Sequence, residues 1–135
     1  MREIKTEKAP KAIGPYAQGM AVGELVFTSG QIPLDPAAGK IVGETVKEQA
    51  EQCIRNLEAV LHAAGSELNR VIKTTCFLSD MSDFQEFNCV YAAYFKDTKP
   101  ARSCVAVKEL PNGVKCEIEA IAFTGPFQRE HKSVL

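Results

Sequence analysis

The segment Val114–Phe123 constrains the fold of this chain more than any other. Successive side chains of a β-strand point to opposite sides of the sheet. Cys116, Ile118, Ala120 and Ala122 fall on one side, and Glu117, Glu119, Ile121 and Phe123 on the other. The first set calls for a core beneath helices. The second is too apolar for open water and too acidic for a plain core. Leu25–Ser29 repeats the pattern, with Leu25 and Phe27 opposing Val26 and Thr28. In Val71–Leu78, Cys76 and Leu78 are expected to oppose Val71 and Phe77. A chain of 135 residues is expected to form one domain, over 1–135, with one core. It lacks the helices to cover both faces of a sheet. The second face is therefore expected to pack on another copy, in a homo-oligomer, leaving Glu117 in a groove between subunits.

The remaining elements follow from local signals. Met20–Val22 and Leu25–Ser29 read as strands joined by a tight turn at Gly23-Glu24. Ile32–Gly43, with Pro33, Asp35-Pro36 and Gly39, reads as a loop. Thr45-x-x-Glu48 fits a capping box. Behind it, Val46, Ala50, Cys53, Leu57, Val60, Leu61 and Ala64 recur at helical spacing, and Gly65 is placed to end the helix. Val71–Leu78 is a β-branched run. Ser82, with Gln85 three residues on, is expected to cap a second helix with a stripe of Phe84, Phe87, Val90, Tyr91, Tyr94 and Phe95. Pro100 precedes a strand over 101–107, Pro111-Asn112-Gly113 is turn chemistry, and Val114–Phe123 is the last strand. The expected order is ββ-α-β-α-ββ, an α+β sheet with both helices on one face.

Composition narrows the function classes. With 16 basic and 17 acidic residues the net charge is −1, so nothing favours nucleic acid or an anionic membrane as partner. Met1–Lys5 is charged and unlike a signal peptide, and no apolar run reaches the roughly 20 residues of a membrane span. Cys53, Cys76, Cys89, Cys104 and Cys116 are odd in number and lack CxxC spacing, as expected of reduced thiols in a cytoplasmic protein. Only His62 and His131 are present, and no ligand spacing suggests a metal.

Two residues stand out against this background. Arg102 interrupts the strand in Pro100-Ala101-Arg102-Ser103-Cys104-Val105, and Glu117 interrupts Lys115-Cys116-Glu117-Ile118-Glu119-Ala120. A charge in a sheet must be paired or used. A guanidinium grips a carboxylate through two parallel hydrogen bonds, and a nearby glutamate can move protons. Together they form a candidate site for a small carboxylate substrate requiring acid–base chemistry. The bland alternatives are a structural salt bridge for Arg102 and rim charges for Glu117 and Glu119, which share a strand face. Tyr16, after Gly14-Pro15, reads equally as a turn cap, and Ser29 as strand-end turn chemistry. Cys104 has no evident histidine partner and reads as lining. Cys53, Cys76, Cys89 and Cys116 read as core. The Phe84–Phe95 aromatics read as helix core.

The chain resembles the Rid (YjgF-like) reactive intermediate deaminases, most closely the RidA branch. The resemblance runs over nearly the whole length. Its pieces are Ala12-Ile13-Gly14-Pro15-Tyr16, Thr28-Ser29-Gly30-Gln31-Ile32-Pro33, Val71-Ile72-Lys73-Thr74-Thr75, Asp83-Phe84 through Asn88, Pro100–Val105 and Glu117-Ile118-Glu119-Ala120. Each piece is weak, but their order together is specific. The resemblance implies a chorismate-mutase-like α+β fold, a mixed sheet with two helices on one face, assembled as a homotrimer with sites between subunits. It implies hydrolysis of 2-aminoacrylate/2-iminopropanoate and 2-iminobutanoate to 2-oxo acids and ammonia, with no cofactor. It assigns Arg102 to the substrate carboxylate and Glu117 to the attacking water. It makes Tyr16, Ser29, Gly30, Asn88 and Cys104 substrate-binding positions. Visible departures lie in loops and in the tail Gln128–Leu135. Two competing readings are a non-catalytic sensor of small carboxylates, which would not need Glu117, and an endoribonuclease, which the balanced charge and scarce histidines disfavour.

Overall fold

A computed structural model describes residues 1–126. Strands β1 (Arg2–Ile4), β2 (Gly19–Val22) and β3 (Leu25–Thr28) lead into helix α1 (Val46–Ala63). Strand β4 (Val71–Leu78), helix α2 (Phe84–Tyr94), strand β5 (Ala101–Ala106) and strand β6 (Cys116–Phe123) follow. All six strands form one sheet in the order β1-β2-β3-β6-β4-β5. Only β4 and β5 run parallel, and α2 makes the crossover between them. The mixed sheet with two helices is as expected. One strand is additional: β1, short and charged, is defined by pairing Arg2–Ile4 with Gly19–Ala21.

The local signals set the ends of α1. Thr45 accepts the Glu48 amide, and the Glu48 carboxylate accepts the Thr45 amide, so the capping box is complete. At the other end Gly65 has φ 82°, and its N–H donates to the His62 carbonyl. The Ser66 N–H donates to the Leu61 carbonyl, completing a Schellman closure. Between the caps, Ala50, Cys53, Ile54, Leu57, Val60 and Leu61 are fully buried against the sheet. Each large aliphatic side chain so buried contributes roughly 1.5–3 kcal/mol. The polar exceptions on this face hold loops: Asn56 donates to the Ile32 and Leu34 carbonyls at 3.0 and 2.9 Å.

Three expectations are corrected. Ser82 does not cap α2. Asp80 accepts the Ser82 amide at 2.8 Å and folds Met81–Asp83 into a 3-10 turn, so α2 begins at Phe84 without a side-chain cap. Val71 does not oppose Cys76 and Leu78. A register shift between Val71 and Lys73 inserts an extra residue, so Val71 is buried on the same face. Cys89 is exposed on α2, whereas Cys53, Cys76 and Cys116 are core.

The parity argument for β6 holds. Cys116, Ile118, Ala120 and Ala122 are buried beneath the helices. On the opposite face Phe27 pairs with Ile121, and Phe77 with Glu117. Among the described residues no other element covers this face: Leu25 and Phe27 are 40% and 41% exposed, and Val105 is 45% exposed.

Candidate functional site

Strand register decides where the candidate side chains point. Arg102 pairs with Thr74, which pairs on its other side with Ala120. Thr74 and Ala120 are buried on the helix-covered face, so Arg102 lies on that face, at the edge strand. Cys104 follows two residues on, beside buried Cys76. Glu117 pairs with Phe77 and lies on the open face. In one chain, therefore, Arg102 and Glu117 sit on opposite faces of the sheet. Their strands are separated by β4, about 10 Å apart at the usual strand spacing.

Arg102 has a built environment. Its Nη1 donates to Asn88 Oδ1 at 2.7 Å, and its guanidinium carbon lies 4.7 Å from the Tyr91 ring centre and 5.5 Å from that of Phe84. Among the described residues no carboxylate pairs with it, so the salt-bridge reading is not met. Asn88 uses one of five N–H donors, and the others are free for a planar anion. Cys104 is half-buried, and burial pushes its thiol pKa up although Arg102 works in the other direction. Such a thiol is a poor nucleophile near neutral pH. His62 lies in the last turn of α1, and His131 lies outside the described residues.

Glu117 is set differently. Burial, and then the neighbouring charge of Glu119, push its pKa up from the ordinary glutamate range. Its carboxylate has no hydrogen-bond or ion-pair partner among the described residues. Just past β3, Gln31 re-pairs with Ile118 through hydrogen bonds of 2.8 and 3.1 Å, which brings Gly30 against Glu117. A Cβ at residue 30 would collide with Glu117 Oε2. The glycine leaves room for the Glu117 side chain; its φ is not positive, so backbone conformation does not call for it. Ser29 Oγ donates to the Ala17 carbonyl at 2.5 Å, and its N–H donates to the Gln18 carbonyl at 2.9 Å. This ties the Ser29–Gly30 corner to the loop carrying Tyr16. Tyr16 is 52% exposed and its hydroxyl accepts the Ile13 amide at 3.4 Å, as a turn cap would.

Asn88, Arg102 and Cys104 thus gather on the covered side, and Ser29, Gly30 and Glu117 at the corner past β3, with Tyr16 on the loop tied to that corner. A concavity of about 830 Å³ lies elsewhere, between the N-terminal segment and Pro36–Ala37, and contains none of these seven residues. Sequence reasoning missed Tyr91 and Phe84, which read as helix core, and gave Thr74 no role beyond its place in the Val71–Leu78 strand. The spacing of Phe84, Asn88 and Tyr91 on one helix face was the available signal. No cluster of three or more metal-ligating side chains occurs among the described residues, and no described helix is long and apolar enough to cross a membrane.

Known proteins share this arrangement of elements. Residues 6–124 match the family described as Endoribonuclease L-PSP. A Salmonella typhimurium protein named 2-iminobutanoate/2-iminopropanoate deaminase is 51% identical over 124 residues, covering 90% of this chain and 96% of that one. The human protein of the same name is 46% identical over 125 residues, covering 93% and 91%. A RutC family protein of Sinorhizobium fredii is 50% identical over 118 residues, covering 87% and 94%. Among solved structures, E. coli TdcF with bound serine superposes with a TM-score of 0.88 at 46% identity, covering 93% of this chain and all of that one.

Proposed function

This chain belongs to the Endoribonuclease L-PSP (YjgF) family, and from that premise we propose that it is a hydrolytic deaminase of short 2-imino acids and their enamine tautomers. The observation carrying this reading is the contrast between the two charged groups. Arg102 is held by Asn88 with donors to spare, and Glu117 is half-buried without a hydrogen-bond or ion-pair partner among the described residues. A carboxylate anchor and a proton-transfer group are the two parts that this hydrolysis needs.

The substrate carboxylate docks on Arg102, which fixes the imine carbon. Glu117 orients a water and takes its proton as the oxygen attacks that carbon. The proton passes to nitrogen, the C–N bond of the carbinolamine breaks, and a 2-oxo acid and ammonia leave. A protonated imine is already electrophilic, so water and proton transfer suffice, and no cofactor is called for. Tyr16, Ser29, Gly30, Asn88 and Cys104 line the space around the substrate.

Opposite sheet faces cannot close on one small molecule. The reading therefore requires Arg102, Asn88 and Cys104 of one chain to meet Glu117, Gly30, Ser29 and Tyr16 of a neighbour, in a homotrimer joined through the open face. The relatives' deaminase names support the reading. The ribonuclease in the family's description draws no support from a net charge of −1.

The test generates the imine in situ with an amino-acid oxidase or dehydratase and follows its decay. Wild-type protein should accelerate hydrolysis. Glu117→Gln should slow it by roughly 10²–10⁴-fold while still binding an unreactive 2-oxo acid. Arg102→Lys should lose most activity, with on the order of 2–5 kcal/mol of transition-state binding gone. Full activity in Glu117→Gln would leave only a carboxylate sensor.

A further inference from the structure

Phe84, Asn88 and Tyr91 stand four and three residues apart, which places them on one face of α2. All three meet the Arg102 guanidinium, Asn88 through a 2.7 Å hydrogen bond and the two aromatics through their rings. Tyr91 alone is also fixed at its far end. Its hydroxyl lies 2.7 Å from Thr74 Oγ1 in a buried pair, where either oxygen can donate. Thr74 is fully buried and is the strand partner of Arg102 itself. The Tyr91 ring is held in turn at 4.6 Å from Phe95 and 6.1 Å from Phe87, centre to centre.

A buried hydroxyl pair in an apolar helix–sheet interface adds little net stability, because two apolar groups of the same shape would pack as well. It does select one placement of the ring relative to β4. That matters for Arg102, whose long side chain would otherwise lose rotamer freedom each time it grips an anion. A guanidinium resting on a fixed ring, with one N–H held by Asn88, has that freedom removed beforehand.

We propose that Thr74 and Tyr91 are positioning residues for carboxylate recognition: their hydroxyl pair locks the aromatic platform that aims the free donors of Arg102. The inference rests on reading Arg102 as the carboxylate anchor, and extends that role to two residues that touch no substrate.

The experiment uses the full-length protein and pyruvate as an unreactive 2-oxo acid. Pyruvate affinity, KM and kcat for imine hydrolysis, and the line width of the Arg102 Nε–H signal in NMR are measured together. Tyr91→Phe keeps the ring and removes the hydroxyl, and Thr74→Val removes the partner. Each should weaken pyruvate binding roughly three- to tenfold, the weight of one hydrogen bond, with the loss falling on KM and the Arg102 signal broadening. The double variant should lose no more than either single one, since the same bond is removed, and Thr74→Ser should retain wild-type affinity. Tyr94→Phe, whose hydroxyl serves Glu51 on α1 instead, is the silent control. If Arg102→Lys loses pyruvate while Tyr91→Phe binds it like wild type, the positioning role is overturned and the anchor stands. If Arg102→Lys binds pyruvate normally, the anchor falls, and an unchanged Arg102 signal in Tyr91→Phe overturns positioning as well. Losses in Tyr91→Phe and Thr74→Val that recur in Thr74→Ser also overturn it.

Discussion

The two faces of this sheet are built to different degrees of completion. On the helix-covered face no buried side-chain nitrogen or oxygen among the described residues lacks a hydrogen bond. Asn56 reaches two loop carbonyls, Thr74 meets Tyr91, and Arg102 rests on two rings and an amide. On the open face Phe27, Leu25 and Val105 remain well exposed, and Glu117 is half-buried with no hydrogen-bond or ion-pair partner among the described residues. The first face explains why the chain folds. The second leaves apolar area and an acid that a single chain does not use. Physical incompleteness is the stronger pointer to function here, because folding alone would not retain it.

The sharpest way to break this contrast is to charge the open face. Ile121 packs beside Phe27 there and follows the acidic pair Glu117 and Glu119 along the strand. Ile121→Asp leaves the covered core untouched, but would place an unpaired carboxylate in the proposed contact between copies, at on the order of 3–5 kcal/mol per site. Sedimentation should show monomers with native circular dichroism, and imine hydrolysis should vanish. A fully active Ile121→Asp monomer would mean that both halves of the site come from one chain.

Gly30→Ala probes the same face with one methyl group and ranks next. The added Cβ meets the end of the Glu117 side chain, not backbone. A flexible carboxylate can move aside, so melting temperature should hardly change. Its displacement from the water it orients in the proposed mechanism should still lower the rate by about 10²-fold, since an error of an ångström at a reacting group has that scale. The expected signature is a fall in kcat with pyruvate affinity kept, because Arg102 is undisturbed. A large loss of stability with normal kcat would show that Gly30 serves the fold instead.

Much of this contrast could be read in the sequence. The β6 alternation named both faces, the Thr45–Glu48 box and Gly65 bounded α1, and Gly23 marked the hairpin with φ 57°. These are local signals, legible within a few residues. What escaped depended on partners distant along the chain. β1 exists because β2 pairs with it. Val71 changed face through a bulge that only the register with β6 reveals. The Ser82 cap lost to Asp80, an equally good acceptor two residues earlier. Arg102 and Glu117 were both visible as charges in strands. Their separation onto opposite faces needed the register of β5 on β4 and of β4 on β6, which no single-strand pattern contains. Tyr91 read as core because burial and positioning leave the same apolar stripe in a helix.

The smallest expected effect concerns Glu119, and it tests whether the open face tunes its acid. Burial is the larger cause of the raised Glu117 pKa, and the charge of Glu119 is the second. Because the folded pKa lies above its unfolded value, the folded state takes up the proton more readily. The stability linked to that proton is fully present below the unfolded pKa and is lost as pH rises through the folded one. In catalysis the same shift places the acid limb of the kcat/KM profile above the range of an ordinary glutamate, since the ionised form acts on water. Glu119→Gln removes the neighbouring charge and leaves burial in place. The acid limb should therefore move to lower pH without reaching an ordinary glutamate's position, while the plateau rate stays at the wild-type level. A limb that stays in place would assign the whole shift to burial. A collapse of the plateau would make Glu119 the carboxylate that works on the water, and Glu117 its neighbour.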